Sequence, residues 1–482
     1  MRPDPAVRAS LSGGGNNMRF LGALIGCLVF VAAGSLPAFA SGYIMPPVGV
    51  RAGSMGEAFI GLADDYSAVH WNPAGITQIS GTELTASLAS PIVMASRDGV
   101  VILDGVDGPG GQNGIATVEA TTDSELPVAP GVFYYTGCGP LSGVLDKWGI
   151  GLYTLADFVV TWSGDDVYGE DDIDEAEGTD PFKNVVLDAT VPDFETDIKG
   201  YVISPVVARE IMPGLSVGVT GHALYGHVTL KDVGFGQRVV TGIGENEGDT
   251  LHLMPYRVED DATGWTFGAT VGMLYRATDQ ISVGATLRTP MTIECSGWSK
   301  ITSETDSLSA GARETDFDFT FPLTAGIGMA YRDFLMDELT LTADVTWTQW
   351  SEVEDISRTM DVALPMVAGE DPNVTELEWE DTVEFGIGLD YRLSRTVSLR
   401  GGFRSVQSPA PAETYTMGLP ATEKSIVGLG MTYRRDVWRF DAGLQYRLGS
   451  KRELDRDGDN WDMAGKNIDD VMIPSLSLTY LF

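Results

Sequence analysis

Residues 383–392 read VEFGIGLDYR, and their alternation decides the architecture. Val383, Phe385, Ile387, Leu389 and Tyr391 fall on one face of an extended chain, and Glu384, Gly386, Gly388, Asp390 and Arg392 on the other. One face is wholly apolar; the other mixes charge with glycine. The pattern returns in LTAGIGMAYR (323–332), SIVGLGMTYR (425–434) and RFDAGLQYR (439–447). Period-two runs of about ten residues with one apolar face have the length and pattern of strands that cross a membrane. Sandwich strands also alternate, but they are mostly shorter and turn their polar face to water.

Working outward from that stretch, fourteen such runs can be placed between 82–96 and 473–482, with the fifth at 215–232 and the sixth at 262–277. An even count suits a single-chain bacterial barrel. From the fourth run onward, short links (EIMPGL, RATDQ, RDFLMDE, RLSRT, RRDVW) alternate with long ones at 233–261, 300–314, 351–380, 408–422 and 449–472. Periplasmic turns and extracellular loops produce that order. Tyr275, Tyr331, Tyr391 and Tyr433 each precede an Arg at the short-link end of a run, which places them in an interfacial girdle. The chain closes on SLSLTYLF, whose apolar face and terminal Phe482 resemble the signal read by the barrel-assembly machinery. The expected fold class is therefore all-β: a 14-stranded antiparallel transmembrane β-barrel at 82–482.

The address agrees. Met18-Arg19, an apolar run from Phe20 to Ala33 and the small-residue site Ala38-Phe39-Ala40 make residues 1–40 an extension with a signal peptide. The expected location is the cell outer membrane, with outer-membrane lipid and lipopolysaccharide around a monomer. A net charge of −37 argues against nucleic acid as a partner. Past the signal only Cys138 and Cys295 remain, too few and too far apart for a disulfide framework.

Residues 41–81 do not alternate. A fourteen-stranded barrel is too wide for its own side chains to fill, and irregular backbone is tolerated at membrane depth only in a protein-lined space. This segment is therefore expected to plug the lumen. At this point the chain resembles the FadL-type family of outer-membrane long-chain fatty acid transporters, which includes toluene and xylene channels. The likeness rests on GSMGEAFIGLADDYSAVHWNPAGI (53–76), ATLRTPMTIECSGW (285–298), ADVTWTQWSEV (343–353) and DYRLSRTVSLRGGFRSVQSPAP (390–411). It implies a plug, or hatch, with Asn72, Pro73, Ala74 and Gly75 as its motif, and passive uptake of a hydrophobic small-molecule ligand. It also implies a lateral exit at strand three, where this chain has Leu155, Ala156, Asp157 and Phe158 in place of the glycine-bearing kink common in the family.

Within the lumen, alternation turns Arg288, Arg400 and Arg404 inward, where they could meet a ligand carboxylate or simply pair with Asp and Glu. Phe59 and Trp71 could line an apolar pocket or pack the plug. The loops are acidic: 163–180 is crowded with carboxylates, and DRDGDNWD (455–462) imitates a calcium loop without its full spacing or bidentate Glu. That acidity disfavours the approach of an anion and tilts the expectation toward neutral ligands. GLSVG (214–218) matches a nucleophile-elbow pattern but lies at the start of a strand, and His222 and His227 fall on opposite faces. No catalytic residue, metal or cofactor is expected. The rival readings are an adhesive barrel acting through its acidic loops and a membrane-embedded hydrolase.

Overall fold

Fourteen antiparallel strands close on themselves in the computed structural model, which describes residues 46–102, 115–122, 126–138, 144–163, 182–187, 191–240, 249–303, 309–357, 359–360, 374–416, 418–419, 421–454 and 465–482. The expected signal peptide at 1–40, the acidic stretch beyond residue 163 and the calcium-like stretch from residue 455 lie outside the described residues. The strands are β1 (Glu83–Ala89 and Ile92–Ile102), β2 (Ile115–Thr121 and Ala129–Thr136), β3 (Lys147–Trp162), β4 (Phe194–Met212) and β5 (Leu215–Val240). Next come β6 (Asp249–Arg276), β7 (Ile281–Arg288 and Met291–Thr302), β8 (Ala310–Phe321 and Thr324–Tyr331) and β9 (Leu339–Thr348). The last are β10 (Thr382–Arg392), β11 (Val397–Val406), β12 (Lys424–Arg435), β13 (Trp438–Gly449) and β14 (Gly465–Leu481). Closure comes from β1 on β14, with Glu83 opposite Leu481 and Gly99 opposite Gly465.

The alternation of β10 becomes a wall with two solvents. Val383 and Phe385 are 52% and 47% exposed to the outside, whereas Glu384, Gly386 and Gly388 face a filled lumen. Tyr391 departs from the girdle expectation: Phe334 and Met336 of the β8–β9 turn pack over it and over Leu389, leaving both buried. Tyr275 and Tyr433 do stand exposed.

The expected long link at 233–261 is mostly strand. β5 and β6 run 26 and 28 residues and stay zipped out to Val240 opposite Thr250. About ten residues cross the bilayer. Beyond the lipid the outer face of β6 carries Arg257, Glu259 and Asp261 while Tyr256, Val258 and Asp260 stay buried, so the apolar outer face stops but backbone pairing continues.

The wall is interrupted in several places, β1–β2 between Ala89–Ala129 and Ser96–Thr121 among them, and two interruptions lie beside the plug. β2 and β3 pair from Thr136–Trp148 to Gly131–Tyr153, and then, among the described residues, only at Thr122–Trp162. Over that interval β3 carries a bulge at Leu155, between Thr154 and Ala156 in its register with β4. The extra residue exchanges the strand's faces: Tyr153 points inward below it, Ala156 and Phe158 above, and six consecutive residues from Tyr153 to Phe158 are buried. β6 and β7 likewise pair up to Thr270–Arg288 and resume at Thr263–Ser296. Pro290, which has no N–H to donate, stands in that break.

Candidate functional site: the plugged lumen

Residues 46–81 fold inside the barrel as α1 (Val50–Ser54), α2 (Ala68–Trp71) and a 3₁₀ turn (Pro73–Gln78) joined by irregular backbone. The Asn72-Pro73-Ala74-Gly75 motif makes this turn. Asn72 is its N-cap, accepting from the Ala74 N–H at 3.2 Å, and Pro73 occupies the first position, where no N–H is needed. The Asn72 amide also donates to the Ile60 carbonyl at 2.9 Å and to Met273 of β6 at 3.0 Å, so one side chain ties the turn to the plug and to the wall. Gly75 has no alternative: a Cβ there would lie 2.1 Å from the Ala63 carbonyl oxygen.

The glycines of the alternating strands find their reason here. A Cβ on Gly388 would meet the Met55 carbonyl at 2.6 Å, and one on Gly402 would lie 2.0 Å from the Met55 carbonyl carbon. The plug backbone runs against the inner wall, and only glycine admits it that close.

Charge fixes one side of the plug. Arg51 reaches Asp64 at 2.7 Å and Asp390 of β10 at 3.2 Å. Arg404 pairs with Glu384 at 2.5 Å, and Arg447 with Glu57 of the plug at 3.0 Å. Arg400 lies 2.8 Å from Asp390, and Asp344 of β9 accepts the Phe59 and Ile60 N–H groups. Arg400 and Arg404 are thus occupied by carboxylates. Phe59 is wholly buried beneath Arg51, whose guanidinium sits 5.6 Å from the ring centroid.

The other side makes no ion pair with the plug among the described residues; two cations, Lys147 and Arg288, reach plug carbonyls there, Lys147 that of Gly81. Tyr135 donates to the Tyr66 carbonyl, Thr220 to Val69 at 2.9 Å, and Ser282 to Gly61 at 2.7 Å. Phe133 stacks on Tyr153, and the His70 ring stands edge-on to both Tyr153 and Trp71. Trp71 is half-buried, its indole N–H donating to Val48. Arg288 enters from β7. Its Nη2 donates to the His70 carbonyl at 2.8 Å and lies 3.2–3.3 Å from the ring nitrogens, while its Nε reaches Thr270 at 3.3 Å. His222 bridges Thr270 and Ser204, 2.8 Å from each. His70 belongs to the plug rather than to a spanning strand. Its burial, with Arg288 beside it, holds the imidazole well below its ordinary pKa, so it is neutral at physiological pH.

Above this polar floor lies an apolar cluster, although Asp157, Asp260 and the Lys424–Asp469 pair are buried there too. Phe158, Val160, Leu224, Val228, Met291, Ile293, Phe317, Phe319 and Phe321 form one continuous buried cluster. Trp350 and Trp379, in edge-on contact, close it from the loops. Alternation points Leu224 and Val228 inward, but it would turn Phe158, Val160, Met291, Ile293, Phe317, Phe319 and Phe321 to the lipid. The β3 bulge and the strand breaks at Pro290 and Pro322 exchange the faces and bring them in.

Ser204 and His222 make a serine–histidine contact that the sequence did not signal, yet the next partner is Thr270 rather than a carboxylate. Ser216 of the GLSVG stretch accepts from Thr77 of the plug on a regular strand, without an elbow. His227 faces outward, 3.1 Å from Asp261. No group of three or more potential metal ligands is gathered among the described residues.

A closed fourteen-strand barrel stoppered by its own N-terminal segment, with an apolar cluster in the lumen above the stopper, defines a class of outer-membrane transport channel. The chain belongs to the outer membrane protein transport protein family (OMPP1/FadL/TodX), whose model matches residues 189–482. It is an outer-membrane transporter of hydrophobic molecules, in a family of non-enzymatic channels. A putative outer membrane protein of Neisseria meningitidis serogroup B is 20% identical over 436 residues, 86% of this chain and 84% of that protein. Among solved structures, a Pseudomonas aeruginosa FadL homologue is similar with a TM-score of 0.66 at 17% identity, covering 92% of this chain and all of the other. The Ralstonia pickettii toluene transporter TbuX is similar with a TM-score of 0.60 at 16% identity, covering 90% and 98%. At these identities the likeness to the structures is one of fold.

Proposed function

We propose that this protein takes up long-chain fatty acids or related hydrocarbons by passive diffusion, gated by the plug, and releases them sideways where β2 and β3 part. The observation that carries the reading is the coincidence of three features. The apolar column stands on the plug, the β3 bulge lies at the level of their junction, and the β2–β3 ladder is missing over the same interval. Leu155, Ala156 and Phe158 are the buried edge of that break, with Asp157 as its polar member. Unpaired strand edges are costly in hydrocarbon; a passage for apolar molecules is a use that would retain one. Asn72, Pro73, Ala74 and Gly75 act as the gate. Trp71 and Arg288 are the ligand-facing members of the candidate set. Arg400, Arg404 and Phe59 serve to hold the plug.

The test is uptake of a long-chain fatty acid and of toluene into proteoliposomes, comparing the intact protein with a 41–80 deletion. Uptake by the intact protein, made faster and less selective by the deletion, is the expected result. A deletion variant that folds and conducts no more than the intact chain removes the gate from the account. Uptake of neither ligand by either form moves the reading to the adhesive barrel.

A further inference from the structure

The outer wall formed by β12, β13, β14 and β1 is a grid of lipid-facing side chains. At the short-link rim Arg435 stands opposite Trp438, and Trp438 opposite Tyr480. One step up, Tyr433 faces Phe440 and Phe440 faces Leu478; above them Met431 faces Ala442 and Ala442 faces Leu476. β1 extends these rows, with Ala86 beside Leu478 and Leu88 beside Leu476. Ala86 and Ala442 are short among long neighbours, and the wall is hollowed there into a trough of about 430 Å³. A second hollow, of about 610 Å³, lies at the β12–β13 turn. The two share Tyr433 and Phe440, and Arg435, Asp436 and Trp438 complete the lower one.

We propose that the paired hollows bind one zwitterionic glycerophospholipid of the periplasmic leaflet, with its phosphate on Arg435, its ammonium on Asp436 and an acyl chain in the trough. The site lies on the outside of the barrel and does not depend on what passes through the lumen.

Charge complementarity selects the occupant. Arg435 and Asp436 are both exposed, and neither side chain makes an ion pair or a hydrogen bond among the described residues. A guanidinium suits a phosphate, and a carboxylate accepts from a primary ammonium. One cation and one anion in the same hollow match a head group that carries both. An anionic head group leaves Asp436 without a donor, and a quaternary ammonium has no N–H to give it. The rim supplies the interfacial layer. Trp438 meets Tyr480 edge-on with 4.8 Å between ring centroids, and Tyr433 lies 6.5 Å from Phe440. Such rings sit at head-group depth, and the trough begins directly above them, where an acyl chain runs.

The turn holds the two charges in place. Arg435 pairs with Trp438, so Asp436 and Val437 alone make the turn, and Asp436 takes a φ of 53°. The Val437 carbonyl accepts the Leu481 N–H at 2.9 Å, which fastens the turn to β14. At the β8–β9 turn, by contrast, Phe334 and Met336 cover the wall themselves.

The experiment uses the full chain in detergent, stripped of lipid and titrated with dioleoyl phosphatidylethanolamine, phosphatidylglycerol and phosphatidylcholine. Bound lipid is counted by native mass spectrometry. One ethanolamine lipid per chain is expected, with the other two held about fivefold more weakly, the effect of one exposed charge-assisted contact. Arg435→Gln should weaken all three by about as much. Asp436→Asn, which tolerates the positive φ, should erase the preference for ethanolamine over glycerol. Ala442→Phe fills the trough and should weaken all three. Equal retention of the three lipids by the native protein overturns the head-group assignment. Several lipids per chain, unaffected by Arg435→Gln or Ala442→Phe, mean an ordinary lipid annulus and overturn the site. A dimer in detergent that Ala442→Phe breaks gives the trough to a second copy and overturns it as well. If Ala442→Phe fails to assemble, the native comparison and the two exposed turn variants decide between the same outcomes.

Discussion

Against β9–β14 the plug is held by charge, with Arg51 on Asp390, Glu57 on Arg447 and the Phe59 and Ile60 N–H groups on Asp344. Against β2–β7 it is held by neutral hydrogen bonds, ring contacts and two cations, Lys147 and Arg288, each on a backbone carbonyl rather than a carboxylate. The two walls differ in what it costs to let go. Removing one partner of a buried ion pair costs about 3–5 kcal/mol, because the other charge stays buried. A neutral hydrogen bond contributes about 0.5–1.5 kcal/mol. Under the gating proposed above, a plug so mounted would pivot on its charged side. Two of the ladder's interruptions, at β2–β3 and at β6–β7, lie in this second wall.

The sharpest way to break this contrast is Arg404→Ala, which strands Glu384 in the lumen, while Glu57 keeps Arg447. A loss of about 3–5 kcal/mol is expected, read as a lower unfolding temperature in detergent together with raised basal conductance. A loss no larger than that of a variant in the second wall would remove the distinction. Gly402→Ala comes next: its Cβ would lie 2.0 Å from the Met55 carbonyl carbon. Overpacking of about 1–3 kcal/mol is expected, with the plug displaced, so limited proteolysis should begin to cut within 50–60. Asn72→Ala should cost about 1–2 kcal/mol as a lost cap. Its main effect belongs on the gate: uptake should lose its dependence on the plug while the barrel melts almost normally. Thr220→Val is the mildest. It removes one bond to the Val69 carbonyl, about 1 kcal/mol, and should speed uptake with no visible change in melting. If Thr220→Val stabilised the closed state instead, the second wall would not be the moving one.

Much of this was legible from residues 383–392 alone. Their alternation specifies a strand between lipid and a non-lipid interior, and repeated fourteen times it specifies a barrel. The reason is periodicity: successive side chains of a strand oppose one another whatever the neighbours are. The break in alternation at 41–81 was legible as a plug for the same reason. The glycines were visible but mute. Gly386, Gly388 and Gly402 read as small residues on the polar face, and only the plug lying against them explains why nothing larger fits. The extent of β5 and β6 was hidden, because the apolar signal ends with the membrane and hydrogen bonding does not. Tyr391 was misplaced because a turn some fifty residues earlier in the chain folds over it.

The three inward arginines mark where sequence stops. Alternation by itself put Arg288, Arg400 and Arg404 on one face of the wall and could not tell them apart. The tertiary structure gave Arg400 and Arg404 carboxylates brought in from β10, β13 and the plug, and gave Arg288 a backbone carbonyl, a neutral imidazole and accessible surface. Which face a side chain takes is a local property of the strand. What it meets there depends on segments hundreds of residues away, and so does whether its charge is spent or available.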